Sequence, residues 1–154
     1  MKMRTILTFT VVCMIIAMGC GGKSTPLSDK EKKAIKHFKS LNAIMQYHDD
    51  GHVKYVDFGP TKATDEDMVY IKDLDNLWLL ALTHSDIGDN GLKHIKENKT
   101  IRDLDLRNCK VTDDGLKYLY EMNQLNSITY GDTKITKDGL KKLQSKLPNA
   151  KLID

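Results

Sequence analysis

The sequence predicts an α/β solenoid, in which a repeated strand–turn–helix unit stacks into a parallel sheet with short helices on its other side. Three observations support this fold class. Apolar residues recur in columns at a spacing of 24 residues, a second pattern typical of helix starts recurs at the same spacing, and the 154 residues are 40% hydrophobic and 29% charged. This length and composition suit one modest domain.

The N-terminus is predicted to be a signal peptide covering residues 1–19. A short basic segment, Met1–Arg4, precedes an apolar or hydroxyl-bearing run, Thr5–Gly19. As a helix this run would measure about 22 Å at ~1.5 Å per residue, which is short of the ~30 Å hydrocarbon core of a bilayer. A basic start followed by a short apolar run is typical of an export signal.

The end of this run, Ala17-Met18-Gly19-Cys20, resembles the lipobox of bacterial lipoproteins. The resemblance implies cleavage before Cys20 and acylation of that cysteine. We therefore expect an exported, membrane-anchored lipoprotein that faces the periplasm or the cell surface, with residues 20–27 as a flexible tether. Two alternatives remain open, namely ordinary secretion and an uncleaved anchor, and in both of them Cys20 has no role.

Charge and cysteine content argue against a nucleic-acid-binding protein and against a domain stabilised by disulfides. The formal net charge is +3, but two of the 24 basic residues, Lys2 and Arg4, belong to the signal, which leaves 22 basic and 21 acidic residues. Such a near-neutral chain lacks the basic excess of nucleic-acid binders, so no nucleic-acid partner is predicted. With Cys13 removed and Cys20 acylated, only Cys109 remains, and the exported domain can form no internal disulfide.

Residues 28–52 are predicted to form an N-terminal cap, with a helix over about 28–48. Ser28 and Glu31 have the spacing of a capping box, and Gly51 is expected to stop the helix. The apolar stripe of this helix consists of Ala34, Ile35, Phe38, Leu41 and Met45.

Residues 53–154 are predicted to contain four repeats of 24 residues and a C-terminal capping strand. The strand columns are Val53, Leu77, Ile101, Leu125; Val56, Leu80, Leu104, Ile128; and Phe58, Leu82, Leu106, Tyr130. The helix columns include Ala63, Ile87, Val111, Ile135; Met68, Leu92, Leu116, Leu140; and Ile71, Ile95, Leu119, Leu143. One further column contains glycine in the last three units, at Gly91, Gly115 and Gly139, and aspartate in the first, at Asp67. The capping strand is expected over Ala150–Asp154.

Local chemistry explains how three of the four units would begin their helices. Thr64, Thr112 and Thr136 stand at the expected helix starts, where a hydroxyl can accept a backbone N–H. Acidic residues such as Asp65 and Asp113 follow and favour the positive end of the helix. One 24-residue unit cannot bury enough apolar surface to fold alone, whereas stacked units can.

The third unit, Ile101–Leu116, resembles the leucine-rich repeat, with Cys109 at its Asn/Cys position and Ser85 and Thr133 at that position in other units. Its T-D-x-G-L-x-x-L ending is similar to the cysteine-containing subtype of that family. The resemblance implies a concave parallel sheet, a convex layer of short helices, and recognition of a protein partner by the concave face.

Candidate catalytic and metal-binding residues are few. The run Tyr47–His52 could hold a metal ion or form a polar turn in which Gly51 has a positive φ. Asp103 and Asp105 project from the same strand face and could bind calcium or act as an acid–base pair. A metal-dependent hydrolase using Asp103, Asp105, His48 and His52 is the weakest alternative. Because no hydrolase or phosphate-loop motif is present, no enzyme activity, cofactor or metal is predicted.

The outward strand positions are the predicted partner-binding surface. They combine an apolar patch with a charged rim, which is typical of protein-binding hot spots. The surface consists of Tyr55, Asp57, Trp78, Leu79, Ala81, Arg102, Asp103, Asp105 and Arg107. In an alternative, the capping helix or the sheet edge buries Trp78. The competing function is a structural envelope protein, or spacer, without one high-affinity partner.

Overall fold

The computed structural model describes residues 25–154. The signal peptide predicted over residues 1–19, the lipidation site Cys20 and the first part of the tether lie outside the described residues. Within residues 25–154, no helix combines the length and the apolar character needed to cross a membrane.

One six-stranded sheet runs through the described part of the chain, with its strands in chain order. The strands are β1 (Ile44–Tyr47), β2 (Val53–Asp57), β3 (Leu79–Ala81), β4 (Asp103–Asp105), β5 (Ser127–Thr129) and β6 (Lys151–Ile153). β1 pairs antiparallel with β2, and every later pair is parallel. The parallel register advances by 24 residues per strand, so that Leu79 lies between Tyr55 and Asp103.

Short helices follow the strands and complete an α/β fold. They are α1 (Asp29–Ser40), a 3₁₀ helix (Asp65–Asp73), α2 (Asp89–Ile95), α3 (Asp113–Leu116) with a 3₁₀ extension (Lys117–Leu119), and α4 (Lys137–Lys146). As expected, Thr64, Thr112 and Thr136 precede three of these helices in extended conformations. The hydroxyls of Thr112 and Thr136 accept backbone N–H groups of the first helical turn.

The core lies between the sheet and the helices and is built from the predicted columns. Val56, Leu80, Leu104 and Ile128 are at most 1% exposed, since alternate side chains of a strand point to the same face. Burial is less complete in the last unit, where Tyr130, Ile135 and Leu140 are only half-buried.

The N-terminal cap differs from the prediction because the helix does not continue to residue 48. α1 ends at Ser40, and Asn42 adopts a left-handed φ of 60°, which asparagine tolerates better than most residues. The chain then turns into β1, where Met45 pairs with Val56 instead of extending a helical stripe. Backbone partners along the edge of β2 therefore favour a strand over a longer helix. Gly51 lies in the β1–β2 turn with φ 89°, as the turn interpretation required.

The predicted capping box is only half formed. Ser28 Oγ accepts the Glu31 N–H at 3.1 Å, but the Glu31 side chain turns into the interior and is fully buried. There Glu31 Oε2 lies 2.8 Å from His52 Nδ1. His52 is 2% exposed, and its Nε2 lies 2.9 Å from the Thr25 carbonyl oxygen. The Glu31 carboxylate therefore pairs with the buried His52 and does not accept the Ser28 N–H at the helix start.

α1 closes the N-terminal end of the core. The Phe38 ring is fully buried and meets the Phe58 ring edge-on, with 5.0 Å between their centroids. His37 Nε2 lies 2.7 Å from Asp67 Oδ1 on the following 3₁₀ helix. Both contacts join the cap to the first repeated unit.

Successive units are joined by three carboxylates, which we call the aspartate ladder: Asp65, Asp89 and Asp113. Asp65 Oδ1 accepts the Gly88 N–H at 2.7 Å. Asp89 accepts the N–H and the hydroxyl of Thr112, both at 2.8 Å. Asp113 accepts the corresponding groups of Thr136 at 2.8 and 2.6 Å, and these bonds lower the pKa of the Asp113 carboxyl.

The ladder explains the glycine column. A Cβ atom on Gly115 or Gly139 would collide with the ladder carboxylate of the preceding unit. One on Gly91 would come within 2.4 Å of Ile87 Cγ2 in its own unit and within 2.9 Å of Asp65 Oδ1. Asp67 occupies the same column in the first unit. There its carboxylate accepts the Thr64 N–H at 2.8 Å and contacts His37 of α1.

Hydroxyl groups close the turns after β3 and β5, and a thiol links the turn after β4 to the turn after β3. Ser85 and Thr133 donate to the carbonyl oxygens of Leu82 and Tyr130 at 2.6 and 2.8 Å. The Cys109 thiol donates to the Leu82 carbonyl at 2.9 Å. Burial raises the pKa of this thiol to about 11, so it remains protonated in a structural role.

Candidate functional site

The sheet face opposite the helices carries a shallow groove of about 480 Å³ across β1–β4, which we call the sheet groove. Six of the nine predicted partner-binding residues line it. The lining consists of Gln46, Lys54, Tyr55, Trp78, Leu79, Ala81, Asp103 and Asp105. The three remaining predicted residues lie at its border: Asp57 pairs with Ala81, Arg102 lies over Trp78, and Arg107 contacts Asp105.

The parallel register sets the floor of the groove. Tyr55, Leu79 and Asp103 are paired across three strands. Two residues further along the same strands, Asp57, Ala81 and Asp105 form a second row. Side chains two residues apart on a strand share a face, so both rows lie on the sheet face that carries the groove, with Asp57 at its border.

Trp78 forms one side of the groove and is 39% exposed, so the alternative in which the cap or the sheet edge buries it is wrong. The Arg102 guanidinium carbon and Lys54 Nζ lie 5.0 and 5.3 Å from the centroid of its ring. The His48 ring meets it edge-on at 4.5 Å. These contacts hold the indole in place by cation–π and aromatic attraction while leaving part of it accessible.

The acidic side chains of the groove differ in their partners. Arg107 donates to Asp105 from Nη2 (2.6 Å to Oδ2) and from Nε (3.0 Å to Oδ1). The Asp105 carboxylate raises the pKa of Arg107. Asp103 Oδ1 accepts the Ser127 hydroxyl at 2.5 Å, and Asp57 Oδ1 accepts the Gly59 N–H at 2.8 Å. Among residues 25–154, no cationic nitrogen forms an ion pair with Asp57 or Asp103.

The Tyr55 phenol reports the electrostatic environment of the groove. Its pKa is raised to about 12, first because the ring is partly buried, then because hydrogen bonding to the Asp57 carboxylate favours the protonated phenol, and last because the Asp57 and Asp105 carboxylates oppose a further negative charge. The phenol therefore stays protonated and can act as a hydrogen-bond donor in the groove.

Sequence reasoning missed three residues here. Lys54 occupies the same repeat position as Trp78 and Arg102, 24 and 48 residues later, and this column was a usable signal. Gln46 and His48 reach the groove through β1 and its turn. No pattern pointed to them, because that segment was assigned to a helix.

The described residues do not assemble the candidate metal site. Between residues 25 and 154, no three His, Cys, Asp or Glu side chains are grouped to hold a metal ion. His52 is buried against Glu31, whereas His48 Nε2 lies 3.0 Å from the Asn76 carbonyl oxygen. The structure therefore does not bring these histidines together with Asp103 and Asp105 as metal ligands.

Comparisons with known proteins agree with this architecture. A family model described as "Leucine Rich repeat" matches residues 77–96 and 97–119, whereas no curated protein matches the chain. Among solved structures, "Leiomodin-1 Actin-Binding Site 2 (ABS2)" is similar with a TM-score of 0.56 and 19% identity, over 79% of this chain and 76% of that chain. At this identity the likeness shows the fold alone. The chain therefore carries two leucine-rich repeats, within a mostly parallel α/β sheet of the kind seen in leucine-rich-repeat proteins.

Proposed function

We propose that this protein is a non-enzymatic protein-binding module that recognises a protein partner with the sheet groove. One observation carries the proposal. Trp78 and Leu79 are 39% and 36% exposed, and they lie beside Tyr55 on a rigid sheet with charged side chains around them. Aromatic anchors within a polar rim are the usual composition of a binding hot spot.

The way these side chains are held supports binding. Tyr55 and Leu79 lie on paired strands, and the backbone N–H of Trp78 donates to the Lys54 carbonyl at 2.9 Å. A backbone already ordered in this way does not have to be ordered when a partner docks, which lowers the entropic cost of binding. The similar solved structure is named as an actin-binding site of leiomodin-1, and protein binding is compatible with that fold.

The proposal includes anchoring to the cell envelope. Its support is the resemblance of Ala17-Met18-Gly19-Cys20 to a lipobox after an apolar run. Acylated Cys20 would hold the domain at the membrane through the tether, facing the periplasm or the cell surface. Several acyl chains anchor a protein more firmly than one.

A crosslinking experiment tests the binding function. The full chain, in its native membrane, is crosslinked as wild type and as the double substitution Leu79→Ala/Asp105→Ala. We expect a discrete crosslinked partner with the wild type and loss of that band with the variant, because both side chains line the groove.

The control removes the same kinds of side chain at the far end of the sheet, with Ile153→Ala/Asp154→Ala. Ile153 is 44% exposed, so this pair should leave the crosslinked band intact. Thermal unfolding followed by circular dichroism should be similar for all three proteins. Equal bands from wild type and the groove variant would instead favour the structural spacer.

Anchoring has its own test, the substitution Cys20→Ser. Incorporation of a labelled fatty acid should be lost, and the protein should leave the washed membrane fraction, because the acylated sulfur is gone. Unchanged labelling and fractionation would contradict lipidation at this position and leave the groove proposal unaffected.

A further inference from the structure

A shallow cavity of about 340 Å³, which we call the α1 pocket, lies between helix α1 and the 3₁₀ helix that follows β2. It is lined by Lys33, Lys36, His37, Ser40 and Tyr70. Lys33 and Lys36 are exposed, and residues three apart on a helix are neighbours on its surface. Lys33 Nζ also lies 5.7 Å from the centroid of the Tyr70 ring. The α1 pocket thus places two positive charges beside an aromatic ring.

The two ammonium groups of the α1 pocket are available to an external anion. Within residues 25–154, no acidic side chain lines the pocket, and neither Lys33 nor Lys36 forms an ion pair. Asp67 approaches from the 3₁₀ helix, but its carboxylate contacts His37 at 2.7 Å. A phosphate group suits such a site, because lysine binds phosphate as a compact point charge.

The first described residues place the α1 pocket near the proposed lipid anchor. His52 Nε2 lies 2.9 Å from the Thr25 carbonyl oxygen and 3.3 Å from the Thr25 hydroxyl oxygen. The same imidazole contacts Glu31 in the first turn of α1, so Thr25 is held at the start of this helix. The chain from Cys20 to Thr25 can span at most about 18 Å. With Cys20 acylated, this end of the domain would lie close to the lipid headgroups.

On the basis of the proposed anchoring at Cys20, we propose that the α1 pocket binds the phosphate group of an anionic phospholipid headgroup. Lys33 and Lys36 pair with the phosphate, and the Tyr70 ring contacts the adjoining carbon atoms. Attraction to a negatively charged bilayer acts within about 10 Å, and the exposed Lys39 of α1 adds to it. The sheet groove is on the face of the sheet opposite the helices, so it remains accessible to a protein partner.

Helix α4 provides an internal comparison for this proposal. It also carries exposed lysines, and Lys142 Nζ lies 6.0 Å from the centroid of the Tyr120 ring, much as Lys33 lies near Tyr70. The exposed lysines of α4 are Lys137, Lys141, Lys142 and Lys146. This helix follows β5, however, at the other end of the strand order from β1. It therefore resembles α1 in charge but not in its position relative to the anchor.

Lysine reactivity on vesicles tests the proposal. The full protein, extracted from its native membrane, is floated with vesicles of phosphatidylcholine, with or without phosphatidylglycerol, and given a short pulse of a water-soluble acetylating reagent. Mass spectrometry of peptides then measures each lysine. We expect Lys33 and Lys36 to react at least about fivefold more slowly on the anionic vesicles, with a smaller difference at high salt. Lys141 and Lys142 should react equally on both kinds of vesicle.

A pair of matched variants shows whether the α1 pocket is responsible. Lys33→Gln/Lys36→Gln should reduce the effect of phosphatidylglycerol on the reactivity of Lys39, whereas Lys141→Gln/Lys142→Gln should leave that effect unchanged. Both variants alter exposed side chains, and each removes one lysine–tyrosine contact. Their thermal unfolding, followed by circular dichroism, should therefore be similar.

Equal reactivity of Lys33 and Lys36 on both kinds of vesicle would overturn the headgroup proposal, while flotation with both would leave the anchor intact. Equal slowing at Lys141 and Lys142 would also overturn it, because any basic helix would then suffice. Slowing by inorganic phosphate on neutral vesicles would identify free phosphate as the ligand instead. Flotation with anionic vesicles alone would support the α1 pocket and contradict the acyl anchor, whereas flotation with neither would overturn both.

Discussion

The His52 imidazole has a hydrogen-bond acceptor on each side. Nδ1 faces the Glu31 carboxylate at 2.8 Å, and Nε2 faces the Thr25 carbonyl at 2.9 Å. An imidazole donates from both nitrogens only when it is protonated. Burial lowers the pKa of His52, but the Thr25 carbonyl, the Glu31 carboxylate and the more distant Asp50 together outweigh it and raise that pKa above 6.5.

This arrangement predicts the direction of a pH effect on stability. Because the pKa of His52 is higher in the folded state, its protonated form stabilises the fold. This stabilisation is fully present below the unfolded-state pKa of 6.5 and is lost as the pH rises through the folded-state pKa. Replacing His52 with Gln should therefore lower the free energy of unfolding by about 3–5 kcal/mol at pH 5.5, since it leaves a buried carboxylate unpaired. The difference from wild type should shrink as the pH rises above 6.5, as measured by urea unfolding.

His84→Asn provides the control for this prediction. His84 is exposed and has φ 59°, a conformation that asparagine adopts readily. Its substitution should change stability little at either pH. A His52→Gln deficit that grows with pH would contradict the assignment of a protonated imidazole.

At the scale of the elements, each ladder aspartate and the glycine of the next unit depend on one another. The carboxylate needs room beside the following helix, and a missing Cβ provides that room. The two columns lie in different units, so a single-residue preference explains neither of them. Packing between units explains both columns, because each aspartate accepts the backbone N–H at the start of the next helix, where the sequence has threonine or glycine.

Gly115→Ala tests this dependence. Alanine is the better helix former by about 1 kcal/mol, yet the new methyl group would collide with Asp89. Overpacking of this kind typically destabilises by about 1–3 kcal/mol. We therefore expect a net loss in the free energy of unfolding, measured by urea denaturation.

Two companion variants make the result specific. Gly131→Ala should be nearly neutral, because its Cβ would meet nothing closer than 3.4 Å. Combining Gly115→Ala with Asp89→Ala should destabilise by less than the sum of the two single changes, since the second removes the obstacle. A stabilised Gly115→Ala protein would refute the steric account.

Across the whole molecule, the two ends differ in how completely they are closed. At the N-terminal end, Phe38 is fully buried and the Glu31–His52 pair lies beneath α1. At the other end, Tyr130, Ile135 and Leu140 remain half-buried, and within residues 25–154 β6 pairs with β5 alone. Units with fewer buried contacts open more readily than the rest of a structure.

Hydrogen exchange should reveal this asymmetry. Amides of α4 and β6 should exchange at least about tenfold faster than those of β3 and β4, through opening of the C-terminal unit. Mass spectrometry of peptic peptides can measure this on the full chain. Uniform protection from β2 to β6 would show that the units open together.

The repeat columns allowed the parallel strands, their 24-residue register and most of the core to be predicted from sequence, because burial on one face imposes a strict period. The strand β1 was missed because Ile44–Tyr47 has no repeat partner and its conformation depends on pairing with β2. The Glu31–His52 pair joins residues 21 positions apart, and its local sequence instead suggested a capping box. The groove was found where the columns extended to it, and its β1 side was missed.

The aspartate ladder also bears on how such a chain can grow. Residues 89–112 contain both halves of the joint: Asp89, which the following unit contacts, and Gly91, which makes room for the preceding one. A tandem duplication of this segment would reproduce a compatible joint at each new boundary without any further substitution. Lys137 occupies the next ladder position and offers no carboxylate, so a copy inserted after it would lack this joint. Duplication inside the array can thus lengthen it with these joints intact, whereas a unit added after Lys137 would have to hold its helix start in another way.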